Sequence, residues 1–261
     1  MRSLWCVGVA AWLGTAGIAA ADEFKPPELS FAGSIGASRT TNVLFSPTAP
    51  FFYDNYLSPT AGLFANGQLG EGWSYRLGAE YFTERYADFP ATNFSTMRLG
   101  GSVARTFDGL IVRFGYYAWL NYSDDFDTRY PAYHDAFVLL IRRFALDHGW
   151  SLTPIVGFTR RWITDGLAPF FRINGSVILG IPVDKWTLQL KPGLIYDIYD
   201  ELAGVNRRDL SPSFSTTLSY PFNDNFTFTL TAAFTMRDSN LPGRDYKKLD
   251  VGPGLDVSLR F

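Results

Sequence analysis

Along the last thirteen residues, LDVGPGLDVSLRF, hydrophobic and polar positions alternate without a break. Leu249, Val251, Pro253, Leu255, Val257, Leu259 and Phe261 share one parity. Asp250, Gly252, Gly254, Asp256, Ser258 and Arg260 share the other. Successive side chains of a β-strand point to opposite faces, so the two faces of this segment meet different surroundings. The same period recurs upstream. Phe171, Ile173, Val177, Leu179 and Ile181 alternate with Arg172, Asn174, Ser176 and Gly180. Trp186, Leu188, Leu190, Leu194 and Ile198 oppose Thr187, Gln189, Lys191 and Asp197. Ser211, Ser213, Ser215, Thr217 and Ser219, then Thr227, Thr229, Thr231 and Thr235, fill two further polar faces. One segment, HDAFVLLIRRFAL from His134, is apolar almost throughout and shows no parity.

This rhythm predicts an all-β chain of twelve antiparallel strands, with ten or fourteen as the alternatives left open by uncertain boundaries. The strands fall near 28–38, 59–69, 73–85, 94–106, 109–122, 133–145, 150–162, 169–181, 186–199, 209–220, 225–237 and 248–261. Their connections alternate in length. Gly70-Glu71-Gly72, Asp108-Gly109, Asp147-His148-Gly149, Pro182-Val183-Asp184 and Asn223-Asp224 are tight hairpin turns. Segments 39–58, 86–93, 123–132, 163–168, 200–208 and 238–247 are longer loops. Short turns on one side and long loops on the other are the arrangement of a transmembrane β-barrel, with the turns periplasmic.

Aromatic positions sharpen the picture. Outward Trp73, Phe107, Trp186, Tyr220, Phe226 and Phe261 fall at the short-turn ends of strands; outward Tyr81, Tyr122, Trp162 and Phe171 fall at the others. Two such girdles mark the two membrane interfaces. A secreted β-sandwich, the competing fold, has no reason to sort its aromatics this way.

The N-terminus adds an address. Arg2, the apolar run that follows and Ala19-Ala20-Ala21 read as a secretory signal peptide over residues 1–21, leaving 22–261 as one barrel domain. Cys6 precedes the apolar run, which argues against lipid acylation, and the mature chain then carries no disulfide or thiol metal site. The net charge of −2 gives no sign of a nucleic-acid partner. No later segment offers the ~20 apolar residues of a spanning helix.

With its signal peptide, hairpin rhythm and last strand closing on Phe261, the chain resembles Gram-negative outer-membrane β-barrel proteins. The resemblance implies residence in the outer membrane among its lipids and lipopolysaccharide. It also makes Phe261 part of the signal read by the barrel-assembly machinery. It implies nothing about activity.

Function then rests on the inward face of a cylinder of roughly 12 Å radius. Ser30, Ala32, Ser34, Gly36 and Ser38, the Ser/Thr rows, Gly252 and Gly254 form one smooth wall. Arg76, Glu80, Glu84, Arg98, Arg113, Arg172 and Lys191 face it, and Asp250 and Asp256 lie within it. Arg76, Glu80, Arg98, Arg113, Arg172, Lys191, Asp250 and Asp256 are the candidate constriction of a narrow channel for small polar or anionic solutes. The alternative is a structural, adhesive or envelope-assembly barrel in which these charges pair and plug the lumen. A lipid hydrolase is a minor third: His134 lies near Ser123, Asp124, Asp125 and Asp135, which supply a nucleophile, base and orienting acid. His148 is explained by its turn.

The run SDDFD at 123–127 offers oxygen ligands for a divalent cation, or is an ordinary solvated acidic loop. The 39–58 loop carries Phe51, Phe52, Tyr53 and Tyr56, which suits either folding into the lumen or contacting lipopolysaccharide or a protein. No nucleotide loop or ligand-spaced histidine cluster occurs, so the reading includes no catalytic residue, metal or cofactor.

Overall fold

A computed structural model describes residues 26–46, 52–123, 126, 130–164, 168–201 and 205–261. The expected signal peptide, Phe51, and Asp124, Asp125 and Asp127 of the acidic loop lie outside the described residues. The strands are β1 (Glu28–Thr40), β2 (Asp54–Leu57), β3 (Thr60–Gly70), β4 (Trp73–Tyr86), β5 (Phe94–Phe107), β6 (Leu110–Tyr122), β7 (Tyr133–Arg142), β8 (Phe144–Ala145), β9 (Ser151–Ile163), β10 (Phe170–Val183), β11 (Trp186–Tyr199), β12 (Arg208–Pro221), β13 (Phe226–Ser239) and β14 (Tyr246–Arg260).

Twelve of these are staves of a closed antiparallel barrel. The short β2 continues β3 in one register against β1, Ser38 facing Tyr56 and Ser34 facing Thr60. Likewise β8 continues the line of β7 along β9. Each stave pairs with the next in sequence, and β14 pairs with β1 from Ser30–Arg260 to Thr40–Asp250. Closure leaves no open edge, so every ladder can be satisfied without water. The 39–58 segment is therefore shorter as a loop than its sequence suggests, because β1 runs on to Thr40 and 54–57 is strand.

The alternation sorts two environments. Exposed on the outer face are Leu29, Ile35, Leu63, Leu77, Leu99, Phe114, Val156, Ile173, Leu194, Phe214, Leu230 and Leu255, from eleven staves, Leu63 at 63%. Buried inside are Asp209, Asp197, Lys248, Arg161 and Asp135. Polar groups inside and large apolar groups outside invert a soluble protein and fit a lipid-facing barrel. This removes the sandwich alternative.

Turn chemistry sets the hairpins. Asp108 and Gly109 both take positive φ (43° and 80°), as a type I′ turn requires. Pro182 and Val183 still pair with Thr187 and Trp186, so the turn expected at Pro182-Val183-Asp184 is Asp184-Lys185. The Asn223 side chain accepts from the N–H groups of Asn225 and Phe226 at 2.9 and 3.0 Å. Prolines at 192, 212 and 253 each coincide with a gap of two residue pairs in one ladder, with register unchanged beyond it. A proline has no N–H to give, so the loss stays local.

At the short-turn end, Arg105 lies over Trp73 and Phe107, and Trp186 packs on Tyr220. Phe261 sits there too, 76% exposed, its N–H donating to the Leu29 carbonyl at 2.9 Å.

Candidate functional site: the barrel lumen

The inward charges divide into a paired set toward the long-loop end and an unmatched set toward the short-turn end. In the paired set, Arg161 of β9 donates through Nε and Nη2 to both carboxylate oxygens of Asp135 on β7. Both are buried, and the guanidinium is surrounded by the rings of Trp119, Tyr133 and Phe170. Arg172 grips Asp197 at 2.7 and 2.8 Å. Asp209 receives Arg207, Arg237 and the Ser239 hydroxyl. Lys248 approaches Asp250 at 3.2 Å, and Arg98 donates to Glu80 from Nε at 2.7 Å. Opposite charges are brought together because directly paired positions on neighbouring staves share a face. Removing one partner strands a buried charge, so Asp135→Ala is expected to cost about 3 kcal/mol. Urea unfolding of the vesicle-inserted barrel measures it.

The segment after β1 folds against this tier. Asn42, fully buried, donates to the Lys247 and Ser46 carbonyls at 2.9 Å and accepts from the Ser46 N–H at 2.8 Å. Phe45 then packs edge-on against inward Tyr246, ring centroids 4.9 Å apart, with the Lys248 ammonium 5.3 Å from its ring. Tyr56 packs on Tyr86 within the barrel, whereas Tyr53 is 54% exposed and lies beside Arg39. Part of the long loop thus packs inside the barrel while Tyr53 stays exposed. Phe45→Ala is expected to free this segment from Tyr246 and Lys248, measured as faster proteolysis there while the barrel stays folded.

In the second set, Arg76, Arg113, Lys191 and Asp256 make no ion pair among the described residues. The Arg76 guanidinium lies 3.7 Å over the Phe64 ring, with the charges of Glu80, Arg98 and Arg113 around it. Arg113 stands between Ala104 and Leu139, and its buried Nε has no hydrogen-bond partner. Asp256 faces Ser34 and Thr227, part of the Ser/Thr/Gly wall. All eight candidate residues therefore point inward, but not as one network. Glu80 and Arg98 neutralise each other, Arg172 and Asp250 find other partners, and four stand alone.

Several inward groups were missed by sequence reasoning. Arg161 and Arg237 were legible from outward Trp162 and inward Thr235, each one or two residues away. Asp135 was not, because β7 is apolar on both faces. Its inward residues are Tyr133, Asp135, Phe137, Leu139 and Ile141, paired with inward positions of β6 and β9. His134 accordingly faces outward, its Nδ1 2.6 Å from the Tyr116 hydroxyl. Within the expected hydrolase constellation, Asp135 points into the barrel and His134 away from it, so these two do not act together; Asp124 and Asp125 lie outside the described residues. Outside the spanning segments, Arg160 holds the Asp200 carboxyl below the usual carboxylate range through a 2.8 Å hydrogen bond. No cluster of three metal-ligating side chains occurs among the described residues.

No protein-family model matches the chain, and no curated protein matches it. Its fold is similar to that of an outer membrane channel from Pseudomonas putida F1. The TM-score is 0.63 at 12% identity, covering 93% of this chain and 100% of that one. The NanC porin is similar at a TM-score of 0.52 and 13% identity, covering 87% of this chain and 100% of the porin. At such identities the likeness is one of fold: the chain is an outer-membrane-type β-barrel.

Proposed function

We propose that this barrel is a narrow outer-membrane channel for small polar solutes, with a preference for anions. One observation carries the reading: among the described residues, three unmatched cations, Arg76, Arg113 and Lys191, share the short-turn half of the lumen with one unmatched anion, Asp256, while inward Glu84 lies at the long-loop end with the Tyr86 hydroxyl donating to it. Opposite the cations, Ser/Thr/Gly side chains are too short to fill a cylinder of roughly 12 Å radius. An excess of one sign in a narrow aqueous lumen enriches counter-ions there. The test is the reversal potential of the purified barrel in a planar bilayer under a KCl gradient. An anion-selective potential supports the reading; absence of any conductance overturns it.

The paired tier and the segment around Phe45 favour a second reading, a structural barrel closed at its mouth. Under it, neither the protein as it stands nor Phe45→Ala conducts. In either case the outer apolar band and aromatic girdles suit outer-membrane lipids and lipopolysaccharide as surroundings. Phe261 remains the side chain offered to the assembly machinery. Phe261→Ala is then expected to lower insertion in cells severalfold while refolding into vesicles continues, as membrane fractionation would show. Equal insertion in cells removes that role.

A further inference from the structure

The inward face near the unmatched cations is not uniformly polar. Ile111 of β6, Ile141 of β7 and Ile155 of β9 are paired in one row across three staves. Leu139 stands beside Arg113 on the neighbouring stave. Above it Phe137 stacks on Tyr117, centroids 5.3 Å apart and planes 11° from parallel. Gly115 makes this stacking feasible, since a Cβ there would sit 2.2 Å from the Phe137 ring. These side chains form an apolar ledge inside the barrel, with Arg113 at its edge and Arg76 nearby. Lining water with branched apolar groups is unfavourable, and a contiguous apolar surface bordered by a few polar groups is the form of a ligand site. The same two guanidinium groups, ion-paired to no carboxylate among the described residues, are left to a ligand anion.

We infer that this part of the lumen binds small organic carboxylates bearing an apolar, aryl-sized body. The carboxylate meets Arg113 and Arg76, which offer planar donor forks suited to it, and the body lies on Leu139 and Phe137, with buried Ile141 packed beneath them. A bare inorganic anion leaves the ledge wet. A neutral apolar molecule leaves the guanidinium groups unmatched. Both therefore bind less well than a molecule with both parts. The inference deepens the channel reading and rests on it for access to the lumen.

Three probes separate the contributions: benzoate, acetate and benzyl alcohol. Their binding to the barrel in nanodiscs is measured by equilibrium dialysis against empty nanodiscs. Benzoate is expected to bind in roughly the millimolar range, and acetate and benzyl alcohol about tenfold or more weakly. Arg113→Gln and Leu139→Ser are each expected to weaken benzoate about tenfold. Slower gel migration after heating certifies that each variant is folded, and Arg76→Gln serves if Arg113→Gln is not. Acetate binding as well as benzoate, or benzyl alcohol doing so, overturns the inference. Binding needs no ion flow, so the two failures are distinct. A barrel that binds benzoate but never conducts overturns the channel reading alone; one that conducts anions but ignores benzoate overturns this inference alone.

Discussion

A barrel carrying Gly100→Val is expected not to reach its folded form. Gly100 of β5 has φ of +152°, a region that residues with side chains rarely occupy. A Cβ added there would lie 2.1 Å from the Tyr116 carbonyl oxygen, a backbone atom that the β5–β6 ladder holds in place. At Gly101 a Cβ would approach the Arg76 carbonyl to 2.5 Å on the other side. The strand is therefore pressed between two neighbours, and neither can yield without breaking its own pairing. Backbone strain of about 1–3 kcal/mol adds to the clash, for a total above about 4 kcal/mol. The readout is refolding yield into vesicles, scored by heat-dependent gel migration. Gly243→Ala is the comparison. Its φ is also positive, at 76°, but nothing lies within 4 Å of the added Cβ, so it is expected to cost only about 1 kcal/mol. Equal yields for the two variants would remove the steric account.

The second large effect is on ion selectivity. Substituting glutamine for Arg76 and Arg113 together leaves Lys191 and Asp256 as the unmatched charges in the short-turn half among the described residues, one of each sign. A unit charge ~6 Å from a passing ion in water is worth about 0.7 kcal/mol, roughly threefold in permeability and roughly tenfold for two. The anion-selective reversal potential is expected to collapse toward zero in Arg76→Gln/Arg113→Gln. Glutamate at both positions is expected to make it cation-selective. These shifts should be largest at low salt, because screening shortens the reach of each charge. Potentials unchanged in both variants would mean that selectivity is set elsewhere, for instance in the paired tier.

Legibility of the lumen varied from strand to strand. In β14, parity alone placed Asp250, Gly252, Gly254 and Asp256 inside and Phe261 at the girdle, since the two faces differ completely in polarity. In β7 both faces are apolar, so the same rule was silent, and the inward positions of Asp135, Phe137 and Leu139 could not be read. Individual inward charges were visible at Glu80, Arg98 and Arg172. Which of them would be neutralised was not, because pairing depends on cross-strand register and a side-chain period of two cannot fix register between staves.

The sequence by itself determined the barrel. Alternation, turn residues and sorted aromatics are local properties, and a chain with polar and apolar faces along nearly every strand buries both well only by closing in lipid. Tertiary structure decided the interior: that Arg161 meets Asp135, that Asn42 and Phe45 fold against the mouth, and that Arg76 and Arg113 stay unmatched beside an apolar ledge. Those outcomes depend on which residues stand opposite one another across staves far apart in the chain, a relation set by register and closure.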